Sequence, residues 1–158
     1  FTLEILEEIS QNSFSFLDKF QLKAGKNWPD EDFKESLPRM IKNLQKVDYP
    51  TGFENWMMIK KETNEIIGDL GFKGFNFVSN SCDIGYAIIK SERRKGYAKE
   101  ACEGLINWVW QSDQSILITA STLPDNLASI QLLQSLNFQK INQDELYLYW
   151  ELSSKSSN

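Results

Sequence analysis

Apolar and polar positions along the chain alternate with two different periods, and the switch between them lays out the elements. Leu3, Leu6 and Ile9 recur on one helical face, predicting a helix over residues 2–10, with Thr2 as N-cap and Glu4 in its first turn. A second helical piece is expected over roughly 12–22. Asn27-Trp28-Pro29-Asp30 forms a turn before an acidic helix start, with Asp30 as cap. That helix should run to about Gln45, with Pro38 breaking or kinking it. Strand-like runs then occupy 53–60 and 65–72, joined by a turn at Lys61-Glu62-Thr63-Asn64. Gly68, Gly71 and Gly74 suggest bulges or close contacts, and 75–80 is expected as a connector. A compact apolar strand covers 82–89. Ala98, Ala101, Cys102, Leu105 and Val109 then mark one face of a helix. A short buried strand at 115–120, a helix begun by Asp125 or Asn126 and ended at Asn137, and a hairpin of 138–141 with 146–152 complete the chain. Residues 153–158 form a polar tail expected to fray.

This pattern suits one domain over 1–152, and no internal repeat divides it. The net charge of -5 argues against a nucleic-acid partner, which calls for a basic surface, and leaves room for a positively charged amine. No apolar run approaches the ~20 residues that span a bilayer, so no membrane segment is expected. Cys82 and Cys102 have no metal or redox spacing, and a reducing cytoplasm fits best. Histidine is absent, which removes imidazole bases and the Ser-His-Asp triad. The chemistry must use carboxylates, hydroxyls, thiols, lysine or water.

The informative stretch is the strand ending at Ile88-Ile89, the basic turn Arg93-Arg94-Lys95-Gly96, and the helix opening at Tyr97-Ala98-Lys99-Glu100-Ala101. The first amides of a helix lack internal partners and the dipole there favours negative charge. Gly96 admits close approach to the backbone, and Ala98 keeps the first turn free of bulk. A diphosphate is the natural guest. The turn lacks the Gly-Lys-Ser/Thr of a P-loop and the Gly-x-Gly-x-x-Gly of a dinucleotide site.

Arg93-x-x-Gly96-x-Ala98 resembles the Arg/Gln-x-x-Gly-x-Gly/Ala signature of the GNAT superfamily of N-acetyltransferases. A second resemblance lies about 30 residues on: Asn126-x-x-Ser129, a leucine-rich helix, and Asn137-Phe138 where the family carries Gly-Phe. Ile84-Gly85-Tyr86 together with Asn126 and Ser129 look most like the RimJ/RimL branch, whose members acetylate protein N-termini and whose relatives modify small amines or antibiotics. The resemblance implies an α+β fold with a mixed, mostly antiparallel central sheet flanked by helices. Its splayed strand pair, at 84–89 and 115–120, would hold acetyl-CoA as cosubstrate, with no metal. The family's first strand would lie upstream of Phe1.

By the same resemblance, the backbone of Ile88 would bind the pantetheine or thioester carbonyl. The amides from Arg94 to Lys99 (Lys95, Gly96, Tyr97 and Ala98 among them) would hold the diphosphate, with charge added by Arg93, Arg94 and Lys95. Asn126 would hydrogen-bond the cofactor or fix its loop. Asp83 takes the place of a family carboxylate and is a candidate base working through water, or merely an exposed strand residue. Many relatives use a tyrosine seven residues after the signature asparagine, and here that position is Leu133. Ser129 is the substitute hydrogen-bond donor to the departing thiolate, or a helix serine packing on the sheet. Tyr86 is a further candidate, or core or channel wall. Trp28, Glu31 and Asp32 fall where the family lines its acceptor entrance and could meet a cationic amine, or they form a solvated cap with one packing tryptophan. The acceptor is an amine, from a protein N-terminus or a small molecule, and the protein a monomer or homodimer. The other reading is a sensor that binds acetyl-CoA without transfer, for which the missing tyrosine speaks.

Overall fold

Helix α1 (Leu3–Ser10) starts where the Thr2 hydroxyl accepts from the Ile5 amide, and it buries Ile5, Leu6 and Ile9. In a computed structural model that describes residues 1–154, it is followed by α2 (Ser15–Lys19) and a two-residue strand β1 (Lys23–Ala24). The helix expected over 12–22 is therefore cut to its middle. Asn12 (φ 54°) and Gln21 (φ 55°) both adopt the left-handed conformation, which ends a right-handed helix on either side. The strand expected upstream of Phe1 lies outside the sequence, and of the 153–158 tail residues 155–158 lie outside the described residues.

Helix α3 (Glu31–Leu44) is capped by Asp30, whose carboxylate accepts from the Phe33 amide at 3.1 Å. Pro38 sits inside it without ending it. Pro38 and Lys34, whose carbonyl loses its partner, are both exposed, so the helix tolerates the lost hydrogen bond at its surface. Phe33, Leu37, Met40 and Leu44 face inward at helical spacing.

Strands β2 (Asn55–Lys60), β3 (Glu65–Asn76) and β4 (Ser81–Ile88) form an antiparallel meander. β3 runs through the expected connector as far as Asn76, because the break at Gly74 (φ 98°) is a bulge between Phe72 and Phe75 rather than an end. Then come α4 (Tyr97–Ser112), β5 (Leu117–Thr122), α5 (Leu127–Ser135), β6 (Gln139–Gln143) and β7 (Leu148–Leu152). The sheet order is β1-β3-β4-β5-β7-β6, with β2 also on β3. Among the described residues, only β1 with β3 and β4 with β5 run parallel. Helix α4 buries Cys102, Leu105, Ile106 and Val109 at the spacing of one helical face, joining the same core as Phe33 and Met40 of α3. Helix α5 ends at Ser135, and Asn137, just past its cap Leu136, takes the left-handed φ of 66° that the family's glycine would supply.

Candidate active site

β4 and β5 pair only where Ser81, Cys82 and Asp83 face Leu117, Ile118 and Thr119. Beyond that, Ala120, Ser121 and Thr122 pair with β7, while β4 stays on β3 as far as Ile88. A gap opens between them. The Ile89 amide donates to the Ile67 carbonyl at 2.9 Å, so strand alternation turns the peptide groups of Ile88 away from β3 and toward the gap.

The basic turn closes one end of this gap. Arg93 Nε donates to the Ile88 carbonyl at 2.8 Å, and its Nη2 reaches Asp32 Oδ2 of α3 at 3.3 Å. This leaves the Ile88 amide, not its carbonyl, to meet a ligand. Lys95 pairs with Glu92 at 3.1 Å and Lys99 approaches Glu103 at 3.8 Å. Arg94 makes no ion pair among the described residues. Arg94 (φ 63°) and Gly96 (φ 88°) are both left-handed, and α4 starts with no side chain capping it. A Cβ on Gly96 would meet nothing within 4 Å, so the space before the helix is open. Unpaired first-turn amides, a free guanidinium and open space fit a diphosphate.

The β5 side of the gap is continued by α5. Asn126 Oδ1 accepts from the Ser129 amide at 3.1 Å, so Asn126 fixes the loop. The Tyr86 hydroxyl donates to the Ser129 carbonyl at 3.4 Å. Burial pushes the Tyr86 phenol up to about 12, keeping it protonated at neutral pH. The two candidates are thus brought together by a contact between residues 43 apart in sequence.

Asp83 lies three residues before Tyr86, and so on the opposite face of the sheet. The Lys73 ammonium sits against its Oδ1 as an ion pair without hydrogen-bond alignment, and Thr119 Oγ1 is 3.3 Å from Oδ2. Asp83 is therefore a held carboxylate rather than an idle strand end. Glu31 pairs with Lys34 at 2.8 Å, and both Glu31 and Asp32 are exposed at the α3 start. Trp28 does not line an entrance. Its side chain is only 6% exposed and its ring packs on Phe14, Phe16 and Phe33, the last at 5.3 Å, so the packing alternative describes it.

Two buried carboxylates escaped the sequence reading. Glu54 accepts from the Thr51 amide and hydroxyl, each at 2.8 Å, and from the Gly52 amide at 3.1 Å. Asp69 receives one hydrogen bond, from Asn55 Nδ2 at 3.1 Å. Burial raises its carboxyl from 3.8 to about 7, with the Asn55 bond lowering it and Asp30 and Asp32 adding to the rise against Arg39. Asp69 pairs with Ala87, and so shares the Asp83 face of the sheet. Its signal was a lone carboxylate inside the apolar run from Ile66 to Phe72. Burial pushes both thiols, Cys82 and Cys102, up to about 12, which removes them as nucleophiles near neutrality. Among the described residues no group of three or more acidic or cysteine side chains is placed to hold a metal, and no helix is long and apolar enough to cross a membrane.

The family model described as an acetyltransferase (GNAT) domain matches residues 10–139. The N-acetyltransferase YjdG of Bacillus subtilis is 33% identical over 148 residues, covering 94% of this chain and 88% of its own. The ribosomal-protein-S5-alanine acetyltransferase from Vibrio fischeri superimposes with a TM-score of 0.65 at 15% identity, over 100% of this chain and 92% of that one. The Campylobacter jejuni N-acetyltransferase PseH, solved with acetyl coenzyme A, gives a TM-score of 0.59 at 20% identity, over 77% of this chain and 79% of that one.

Proposed function

The chain belongs to the GNAT acetyltransferase family, and on that premise we propose that it transfers the acetyl group of acetyl-CoA to a primary amine, directly, with both substrates bound. The observation that carries this reading is the uncapped, left-handed entry into α4 at the end of the β4–β5 gap. Acetyl-CoA, when bound, supplies an acyl group activated as a thioester. The amides after Gly96 and the Arg94 guanidinium bind its diphosphate, and the Ile88 amide donates into the gap. Asp83 takes up the proton that the attacking amine loses, displacing Lys73 to do so. The Ser129 hydroxyl hydrogen-bonds the departing sulfur, and Tyr86 holds Ser129 in position through its carbonyl. A C–N bond forms as the C–S bond breaks. Asp83 is on the face of the sheet opposite Tyr86, which touches Ser129, so amine and leaving group would meet different walls.

Within the family, the reading is the RimJ/RimL branch. It is supported by Ile84-Gly85-Tyr86, by Ser129, and by the fold shared with the Vibrio fischeri enzyme. The buried Leu133, where relatives carry tyrosine, favours as second reading a sensor that binds acetyl-CoA without transfer. The deciding experiment is mass-spectrometric acetyl transfer to a panel of peptides, polyamines, aminoglycosides and amino acids, with Gly96→Glu as control. Glutamate there puts bulk and negative charge into the cradle at a φ of 88°. Product with the parent protein and none with the variant supports the enzyme. Tight acetyl-CoA binding with no product supports the sensor.

A further inference from the structure

A cavity of about 500 Å³ opens on the Asp83 face of the sheet, lined among others by Asn43, Lys46, Lys73, Asn76, Asp83 and Thr119. Asp83 and Thr119 are the last paired residues before β4 and β5 part. The cavity therefore abuts the apex of the gap, where an acceptor amine must arrive, and its volume suits a small molecule.

Its charges do not suit a polycation. Glu54 also borders the cavity, but its carboxylate already accepts three hydrogen bonds from Thr51 and Gly52. This leaves Asp83, whose Oδ1 is covered by Lys73 and whose Oδ2 meets the Thr119 hydroxyl at 3.3 Å, as the carboxylate a guest can reach once Lys73 moves. Two ammonium groups oppose it. Lys46 is exposed and meets only the Asn43 side chain, at 3.4 Å, with no acidic partner among the described residues. Lys73 is paired to Asp83, yet the two side chains are 42% and 32% exposed, and an ion pair within reach of water is worth little. The pair is one that a guest can open. A guest with only positive charge would replace Lys73 at Asp83 and leave two lysines facing it. A guest carrying both an ammonium and a carboxylate would pair with Asp83 and with the released lysines together. The aromatic edge of Phe75 and Phe77, 4.9 Å apart, offers the apolar wall for a side chain.

We propose that the acceptor is a small zwitterionic amine of the amino-acid class, its carboxylate taken by Lys73 and Lys46 and its ammonium by Asp83, which receives one proton to free the nitrogen lone pair while the second leaves on the coenzyme A thiol. This rests on the transferase reading above. The Lys73–Asp83 ion pair occupies in the free protein the place of the two charges of the substrate.

The test compares acceptors in matched pairs: leucine with isoamylamine, phenylalanine with phenethylamine, and glycyl and acidic tripeptides as a third arm. Acetylated product is measured by mass spectrometry from acetyl-CoA. The expected kcat/KM favours each amino acid over its decarboxylated partner by about tenfold or more, the worth of one charge-assisted contact. Lys73→Met should narrow that ratio about tenfold, chiefly through KM, and Lys46→Met should narrow it less. A circular-dichroism melt confirms that both variants fold. Amines acetylated as well as the amino acids, or a ratio untouched by Lys73→Met, overturns the zwitterion and leaves the transferase standing. Peptides preferred over free amino acids likewise overturn it. No product from any acceptor overturns both readings.

Discussion

Asp69→Asn exchanges a buried carboxyl for an amide of the same shape, and its effect on stability should depend on pH. The folded protein holds this proton up to about 7, against 3.8 for the ordinary group. Between these values the folded state binds more protons than the unfolded chain, so the contribution of Asp69 to stability falls as pH rises and is lost above 7. At about 1.4 kcal/mol per unit, the full span is roughly 4 kcal/mol, of which about 2–3 lies between pH 5 and 8. Asparagine does not titrate and keeps an oxygen for the Asn55 amide, 3.1 Å away in the parent protein. Urea unfolding of both proteins at pH 5 and pH 8 is the assay. The stability of the variant relative to the parent should rise by about 2–3 kcal/mol between the two pH values, or about 5–10 °C in midpoint temperature. Every other titrating group is common to both proteins and cancels. Parallel stability curves would refute the argument, because they would mean that water already solvates the Asp69 carboxylate.

Other changes test the remaining parts of the site. Asn126→Ala removes the cap on the Ser129 amide and should lower stability by about 1 kcal/mol, read as a small drop in unfolding midpoint. Ser129→Ala should lower kcat about 10- to 100-fold with KM for acetyl-CoA little changed, and equal kcat values would assign Ser129 to packing. Glu54→Gln keeps one oxygen for the Thr51 and Gly52 amides but sets an NH2 against the Thr51 hydroxyl and removes the charge, and should cost about 1–2 kcal/mol in denaturant unfolding. Arg93→Gln should weaken coenzyme A binding in calorimetry by about tenfold, since it frees the Ile88 carbonyl and unties α3 from the turn.

The elements of this protein were largely legible from local signals. Apolar periodicity marked α1, α3, α4 and the β2–β3–β4 meander, and caps such as Thr2, Asp30 and Asn126 marked where helices begin. The turn at Arg93–Ala98 and the Asn126–Ser129 start of α5 were legible for the same reason: backbone amides at a helix start answer to the few residues beside them. Errors fell where a backbone choice had no local cue. Asn12 and Gln21 turn left-handed and shorten α2, and β3 continues past the bulge expected at Gly74 as far as Asn76.

Only the tertiary structure decided how distant charges and hydroxyls meet. Lys73 lies across Asp83, Arg93 spans from Ile88 to Asp32, and Tyr86 reaches Ser129. It also decided that Trp28 is core and that Asp69 is shut away from water. The physical reason is the range of the forces. Periodicity, caps and turns are settled within a few residues, so sequence carries them. Burial, ion pairing and the proton affinity they set depend on neighbours that only the folded sheet, with β4 and β5 parting beyond Asp83, brings together.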